Sequence, residues 1–265
     1  MVRPPPIGLL PAAGRALRFG AAGYAKELFP ILPASRSPDE AMAPRPICEL
    51  ALEAIRATGA ERCMVVVSPE KAEILRVLGH RTGGGLALAY VVQRQPDGLP
   101  DAIRCAAPWL DDHDVVFAMP DTVVTPPDGL ARVHAHRVAT GADLVLGVFP
   151  VENPEALGPV VVSSDGRVQR VEDKPAAPGA RNSWAIAAWS ARFTELVVAW
   201  DLARAGERER VLGHVFAAAC QAGLDVRAVC FDEPAASFLD IGTPRGLRRA
   251  LRRLAELGVV DGGKG

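Results

Sequence analysis

Two aspartates follow apolar segments at well-separated points of the chain. Asp121 lies in VVFAMPDTVV, residues 115–124, and Asp240 lies in SFLDIGTP, residues 237–244. Aspartate in such positions also forms turns and helix N-caps. Two carboxylates together suit Mg²⁺, which takes one or two of them and completes its octahedron with water and substrate phosphates. We therefore expect Asp121 and Asp240 to lie close together and to bind one Mg²⁺.

A loop of small residues follows the first apolar run. The segment PAAGRALRFG, residues 11–20, contains Ala13 and Gly14 and two arginines. Such a loop after a buried strand is either a simple chain reversal or an anion site, because small residues let backbone N–H groups approach phosphate oxygens. These residues alone leave both interpretations open.

Lysine is rare in this chain. Only four of its 30 basic residues are lysines, namely Lys26, Lys71, Lys174 and Lys264. A lysine kept against such a bias marks a place where a compact point charge fits and the planar fork of arginine does not. We expect Lys26 and Lys174 to contact phosphate. Lys71, in the predicted helix SPEKAEILRVL, and Lys264, in the glycine-rich tail, are expected in solvent.

Lys174 belongs to a second polar segment, VEDKP, in which Asp173 precedes it at a predicted strand end. One interpretation is a surface ion pair that contributes little. The other is an acid that accepts hydrogen bonds from substrate hydroxyls beside a lysine that holds a phosphate.

Gln93 opens QRQPDGLPDAI, a polar strand exit followed by a turn and a helix start. Geometry alone explains the Pro-Asp-Gly turn. Gln93, however, offers both a donor and an acceptor, which reading the edge of a nucleotide base requires.

The bulk composition is typical of a soluble globular protein. Of 265 residues, 49% are hydrophobic and 23% charged, and the formal net charge is −1, whereas a nucleic-acid binder usually carries a basic surplus. No apolar run approaches the length that spans a bilayer, and the N-terminus has no signal pattern. The five cysteines lack CxxC or zinc-ligand spacing, which favours reduced thiols. We expect a cytoplasmic protein that binds neither nucleic acid nor membrane.

Short apolar runs alternate with helical patterns up to about residue 150. The runs are too uniformly apolar for strands with one wet face, so they predict a mainly parallel sheet covered by helices on both sides. After residue 150 the rhythm changes, and Asp165-Gly166 predicts a hairpin turn. We expect one α/β domain over residues 1–265, with a nucleotide-binding half at 1–150 and a second half at 151–265. In such sheets ligands bind beyond the carboxyl ends of the strands, where the residues above are predicted to lie.

Six segments stand in the order and at the spacing of one known family: PAAGRALRFG, AKELFPI, QPDGLPDAI, MPDT, VEDKP and FLDIGT. The chain resembles the sugar-1-phosphate nucleotidylyltransferases, especially the glucose-1-phosphate thymidylyltransferases and uridylyltransferases. The resemblance implies a Rossmann-like α/β fold of the GT-A nucleotidyltransferase type, with a mixed, mainly parallel sheet flanked by helices. It also implies an enzyme that uses Mg²⁺ to join a nucleoside triphosphate (NTP) to a sugar 1-phosphate, which gives an NDP-sugar and pyrophosphate.

The resemblance also implies roles for individual residues. The loop from Ala13 to Arg18 would hold the triphosphate, the second half of the chain would bind the sugar phosphate, and a homo-oligomer is left open. The implied residues are Arg18, Lys26 and Lys174 for catalysis, Ala13, Gly14, Gln93 and Gly98 for the nucleotide, Gly158, Asp173 and Lys174 for the sugar phosphate, and Asp121 and Asp240 for Mg²⁺.

Three features depart from the family pattern. Ala16 stands where the family has its second loop glycine, the interval from Arg18 to Lys26 is short, and Ala188 replaces a glycine of the sugar-binding strand. They leave open a non-catalytic regulator that binds nucleotide or sugar phosphate on the same fold, and a cytidylyltransferase for a non-sugar phosphate. A glycosyltransferase of similar architecture would normally have an Asp-x-Asp motif, which MPDTVV lacks.

Overall fold

The computed structural model describes residues 3–14, 25–33, 43–207 and 210–260. Strands and helices alternate along most of the chain, and short 3₁₀ turns lie between some of them. In chain order the elements are β1 (Ile7–Pro11), β2 (Pro30–Ile31), β3 (Arg45–Pro46), α1 (Glu49–Ala57), β4 (Arg62–Val67), α2 (Glu73–Leu78), β5 (Ala87–Val92), α3 (Leu99–Ala106), β6 (Val115–Phe117), β7 (Thr122–Thr125), α4 (Gly129–Thr140), β8 (Leu144–Pro150), β9 (Val160–Val162), β10 (Val168–Val171), β11 (Asn182–Trp189), α5 (Ala191–Leu202), α6 (Leu212–Gln221), β12 (Val226–Cys230), β13 (Ser237–Asp240) and α7 (Pro244–Glu256).

Seven strands form the central sheet, in the order β12-β8-β11-β6-β1-β4-β5. All neighbouring pairs are parallel except those of β11, which runs antiparallel to both β6 and β8. The predicted mixed, mainly parallel sheet is therefore confirmed. Strands from both halves of the chain build it, because β11 lies between β8 and β6.

Apolar side chains cover both faces of this sheet. Successive strand residues point to opposite faces, so Leu9 packs into one core cluster with α3, α5 and α6. Leu10 packs into the other cluster with α1 and α4. This explains why the strands have no polar alternation in the sequence.

A smaller layer forms at the edge where the parallel strands end. The strand β6 ends at Phe117, before Asp121, and Thr122 begins a second strand that pairs with β13 and not with the sheet. The helix α7 packs against this pair through a third apolar cluster that includes Val123, Ile241 and Leu254. The predicted hairpin at Asp165-Gly166 joins the antiparallel strands β9 and β10, and Gly166 has a φ of 82°.

Lys71 differs from its prediction. Its segment begins as a 3₁₀ turn, Pro69–Lys71, and Lys71 is only 7% exposed. The side-chain Nζ lies 2.7 Å from Glu27 Oε1 and donates to the carbonyl oxygen of Ala12 at 2.9 Å. The expectation of a solvated lysine is wrong because two distant segments supply acceptors for it.

In the described ranges, no helix is both long and apolar enough to cross a membrane.

Asp114 forms ion pairs just before β6, at the edge of the sheet where the parallel strands begin. Its carboxylate accepts a hydrogen bond from Arg137, which is 5% exposed, and lies 3.8 Å from His134 Nε2. Burial acts to raise the pKa of Asp114, but His134 and Arg137 outweigh it and hold the pKa below its ordinary value of 3.8.

Asp114→Asn is expected to lower the free energy of unfolding by about 1.5 kcal/mol at neutral pH, since a charge-assisted bond to a buried arginine is weakened. A carboxyl whose pKa is depressed in the fold stabilises it above the pKa of the unfolded chain and loses that contribution as the pH falls. The difference in free energy of unfolding between the wild type and Asp114→Asn should therefore become smaller as the pH of the urea titrations is lowered from 7 to below 3.8. The exposed neighbour Asp112, changed to Asn, is the control. An equal deficit at both ends of the pH range would contradict the electrostatic account.

Candidate active site

Lys26, Asp121 and Asp240 come together at the edge where the parallel strands end. The β7–β13 ladder pairs Asp240 with Thr122, and the N–H of Ile241 donates to the carbonyl oxygen of Asp121 at 2.9 Å. Lys26 Nζ donates to Asp121 Oδ2, and only 18% and 13% of these two side chains are exposed. One ladder thus holds both carboxylates beside one ammonium group.

The charge of Lys26 is stabilised by its surroundings. Burial acts to lower the pKa of Lys26, but the charge and hydrogen bond of Asp121 oppose it, and Glu27 and Asp240 add to the effect. The net result is a pKa above the usual lysine value. Lys26 therefore remains a cation at any physiological pH.

Two glycines shape the surroundings of Asp240. The N–H of Gly242 donates to Asp240 Oδ1 at 2.6 Å, and a Cβ at Gly242 would lie only 2.9 Å from that oxygen. A Cβ at Gly246 would overlap the carbonyl oxygen of Asp240. The first turn of α7, capped by the Thr243 side chain on the Gly246 N–H at 3.0 Å, can therefore pack directly against the aspartate.

The predicted phosphate loop is described only at its start. Ala13 is buried at 2% exposure. Gly14 is exposed, and a Cβ there would meet no atom of the other described residues within 4 Å. Both follow β1, whose parallel neighbour β6 precedes Asp121, so they share the sheet edge with the Lys26 cluster. Arg18 and Ala16 lie outside the described residues.

Gln93 and Gly98 form a second loop at the same edge, after β5. Gln93 is 2% exposed, and its Nε2 donates to the carbonyl oxygen of Gly98 at 3.2 Å and to Asp101 Oδ2 at 2.6 Å. Gly98 has a φ of 110°, and a Cβ there would overlap the carbonyl oxygen of Arg210. The Gln93 amide nitrogen is thus engaged within the protein, where it holds the loop that ends in Gly98.

A charge network centred on the buried Asp201 contacts this loop and was not predicted from the sequence. Asp201 is fully buried in α5 and lies 2.8 Å from Arg104 Nε and 2.9 Å from Arg210 Nη1. Arg210 also lies 3.2 Å from Asp97 in the loop, and Arg104 pairs with Asp101. Asp201 and Arg104 are 97 positions apart. The only signal in the sequence was an aspartate within an apolar helix face, which does not identify its partners.

Gly158, Asp173 and Lys174 form a separate cluster at the start of β11. The Ser183 hydroxyl accepts from the Gly158 N–H at 3.3 Å, and the Lys174 N–H donates to the carbonyl oxygen of Leu157 at 2.8 Å. Lys174 is exposed, with a φ of 44°. Because β11 is antiparallel, it starts where the parallel strands end, so this cluster lies at the same sheet edge as Asp121.

Two aromatic or basic side chains flank this cluster. Trp184 packs so closely that a Cβ at Gly158 would lie 3.0 Å from its Nε1. His214 Nε2, at the start of α6, lies 3.3 Å from Asp173 Oδ2. Among the described residues, no hydrogen bond or ion pair joins this cluster directly to Lys26, Asp121 and Asp240.

Ala188, noted above as a departure, lies near the end of β11 between Val116 and Val145 and has no exposed surface. Its methyl group belongs to the core and does not reach the sheet edge.

Comparison with known proteins decides the family. A sequence model described as nucleotidyl transferase matches residues 21–256. The chain belongs to this family. The match spans the Lys26 cluster, the Gly98 loop and the Lys174 cluster, so the nucleotidyl transferase family covers the whole candidate site apart from the segment before residue 21.

Individual relatives are more distant. This nucleotidyl transferase is 31% identical to the glucose-1-phosphate thymidylyltransferase of Streptomyces antibioticus. The alignment spans 159 residues, which make up 60% of this chain and 44% of that protein. It is 27% identical to the glucose-1-phosphate thymidylyltransferase of Neisseria meningitidis serogroup A. That alignment spans 165 residues, which make up 62% of this chain and 52% of that protein. The alignments therefore span about half the length of these relatives.

The fold extends further than the sequence similarity. The UDP-glucose pyrophosphorylase of Acinetobacter baumannii superposes with a TM-score of 0.77 at 20% identity, over 94% of this chain and 93% of that one. The expected GT-A-like nucleotidyltransferase fold is confirmed.

Proposed function

We propose that this nucleotidyl transferase joins an NTP to a sugar 1-phosphate and releases pyrophosphate. The observation that carries the proposal is the Lys26–Asp121–Asp240 cluster, which lies at one sheet edge with the Gly98 loop and the Lys174 cluster. An ammonium group and two carboxylates beside exposed backbone suit a site for polyphosphate. The names of the aligned relatives, glucose-1-phosphate thymidylyltransferases, support this substrate pair.

The reaction is one displacement at phosphorus. A phosphate oxygen of the sugar 1-phosphate attacks the α-phosphorus of the NTP, the new P–O bond forms, and the bond to the β-phosphate oxygen breaks. The electron pair leaves with pyrophosphate. Such a step needs little covalent help from the protein, and positioning and charge stabilisation supply most of the catalysis.

Asp121 and Asp240 fit Mg²⁺. Lys26 binds Oδ2 of Asp121 and the N–H of Gly242 binds Oδ1 of Asp240, so within the described residues one oxygen of each carboxylate is left for a cation. The missing side chain at Gly242 keeps space open beside Asp240. These two oxygens would hold the ion, whose charge would neutralise the phosphates.

The chain's own cations complete the proposed nucleotide site. Lys26 holds Asp121 in place and adds positive charge beside it, while the backbone N–H of the exposed Gly14 and the side chain of Arg18 are proposed to bind the triphosphate. The loop ending at Gly98, held from below by Gln93, is proposed to receive the base.

The second cluster is proposed to bind the sugar 1-phosphate. Asp173 would accept hydrogen bonds from sugar hydroxyls, and Lys174 would hold the phosphate. Gly158, which packs closely against Trp184, is proposed to line the same site.

Pyrophosphate release tests the proposal. The full chain would be assayed with Mg²⁺ against dTTP, UTP, CTP, ATP and GTP, each combined with several sugar 1-phosphates and with a non-sugar alcohol phosphate. We expect turnover with at least one sugar 1-phosphate. Turnover only with the alcohol phosphate, or NTP binding without turnover, would overturn the proposed reaction.

Lys174→Arg is expected to reduce turnover or raise the KM for the sugar phosphate roughly tenfold, because a planar guanidinium cannot replace a compact ammonium at a close phosphate site. Lys174 is exposed, so the thermal midpoint should not change. Arg181→Lys, an exposed neighbour exchanged in the opposite sense, is the control. Wild-type kinetics for Lys174→Arg would remove Lys174 from the site.

A further inference from the structure

The segment 68–73 contacts the chain on both sides of residues 15–24, which lie outside the described residues. On one side, the carbonyl oxygen of Ala12 accepts a hydrogen bond from Lys71 Nζ at 2.9 Å. On the other side, Glu27 Oε1 lies 2.7 Å from the same Nζ, and the Ala25 N–H donates to Glu73 Oε1 at 3.1 Å. A single ammonium group therefore joins Ala12 to Glu27.

This junction lies in the protein interior. Lys71 is 7% exposed, Glu27 is 2% exposed and Ala12 is 1% exposed. Glu27 Oε2 is buried, and no other described residue forms a hydrogen bond with it. Burying an ion pair costs desolvation energy that its attraction often fails to recover, and an apolar pair of similar volume commonly serves stability as well or better. Stability alone is therefore a weak reason for this arrangement.

The junction is next to the reacting groups. Glu27 directly follows Lys26, the partner of Asp121, and Ala12 is two residues before the exposed Gly14. A lysine Nζ carries three donors at one point, so it can bind a carboxylate and a carbonyl oxygen at once. Movement of either acceptor would change the separation between Gly14 and Lys26.

We propose that Lys71 is a positioning residue for nucleotidyl transfer, which fixes the spacing between Gly14 and Lys26 so that both meet the same triphosphate. This rests on the proposed function. Lys71 contacts no substrate itself, and its effect is confined to the NTP side because Gly158, Asp173 and Lys174 belong to a different part of the fold.

The test separates positioning from stability. Lys71→Met alone would leave Glu27 as an unpaired buried charge and unfold part of the population. The double variant Lys71→Met/Glu27→Leu removes both charges, so we expect its thermal midpoint to return close to the wild-type value. Its KM and Kd for the best NTP of the panel should still rise about tenfold, since the link to Ala12 is gone, while the KM for the sugar phosphate stays unchanged.

A matched double variant serves as control. Arg137→Met/Asp114→Leu removes a buried ion pair at the opposite sheet edge, and the KM for NTP should not change. Wild-type NTP affinity in Lys71→Met/Glu27→Leu with a restored midpoint would overturn the positioning role and leave the proposed function standing.

A further variant decides the matter if the double variant does not fold. Glu73→Ala removes only the Ala25 anchor and buries no new charge, and it should weaken NTP binding about threefold. Unchanged binding in Glu73→Ala would then overturn the proposal. A wild-type chain that binds no NTP would overturn both the proposed function and the role of Lys71.

Discussion

Asp121→Asn is expected to reduce pyrophosphate release at least about a hundredfold, because the proposed Mg²⁺ site would lose one of its two carboxylates, the one that also binds Lys26. The amide oxygen of asparagine can still accept the hydrogen bond from Lys26 Nζ. The thermal midpoint should fall only slightly, because Glu27 and Asp240 also stabilise the Lys26 cation. Steady-state release of pyrophosphate at saturating Mg²⁺, with circular dichroism melts of the same samples, measures both quantities.

An aspartate far from the site serves as the control. Asp112 precedes β6 at the opposite sheet edge and is exposed, so Asp112→Asn makes the same chemical change away from the site and should leave the rate unaltered. A rate for Asp121→Asn within a factor of about two of the wild type would exclude Asp121 from the metal site, since a lost charge contact at the reacting phosphates costs far more.

Gly98→Ala is expected to lower the free energy of unfolding by about 3 kcal/mol, the sum of a left-handed backbone in an alanine and a steric overlap. Gly98 has a φ of 110°, and the added Cβ would overlap the carbonyl oxygen of Arg210. Either the loop or the Arg210 segment must move. Because the loop is proposed to receive the base, the KM for NTP should rise as well. Urea unfolding and NTP titration check the two effects.

Gly83→Ala is the matched control. Gly83 is exposed, its Cβ would meet no atom within 4 Å, and its φ is not in the left-handed region. The change should shift stability by no more than about 0.5 kcal/mol. If Gly98→Ala were equally mild, the contact with Arg210 would not constrain the loop.

The layers of this fold could be predicted because they depend on local pattern. Uniformly apolar runs such as 63–67 and 144–149 predict strands covered on both faces, and both occur in the sheet. The proximity of Asp121 and Asp240 followed from a general rule about sheet edges. The rule could not reveal that a separate two-stranded ladder brings them together, because strand pairing between residues more than a hundred positions apart leaves no local trace.

The buried charges could not be predicted for the same reason. In the sequence, Lys71 fits the polar face of a short helix, and its burial depends on Ala12 and on Glu27, 59 and 44 positions away. In the sequence, Asp201 is a charged residue in an otherwise apolar helix pattern. The structure shows that Arg104 and Arg210 lie beside it. Periodicity indicates which side of an element faces the core, but it does not identify the residue with which a buried charge forms an ion pair.

The position of β11 has a consequence for how the chain folds as it is synthesised. The sheet neighbours of β8 are β11 and β12, and β11 is also the strand that connects β8 to β6. A nascent chain that has emerged only as far as residue 150 can pair β1, β4, β5 and β6, but β8 must wait for residues 182–189 to leave the ribosome. Unpaired strand edges promote aggregation. Truncation of the chain between residues 150 and 182 should yield an insoluble product, and the two halves should not fold as exchangeable modules.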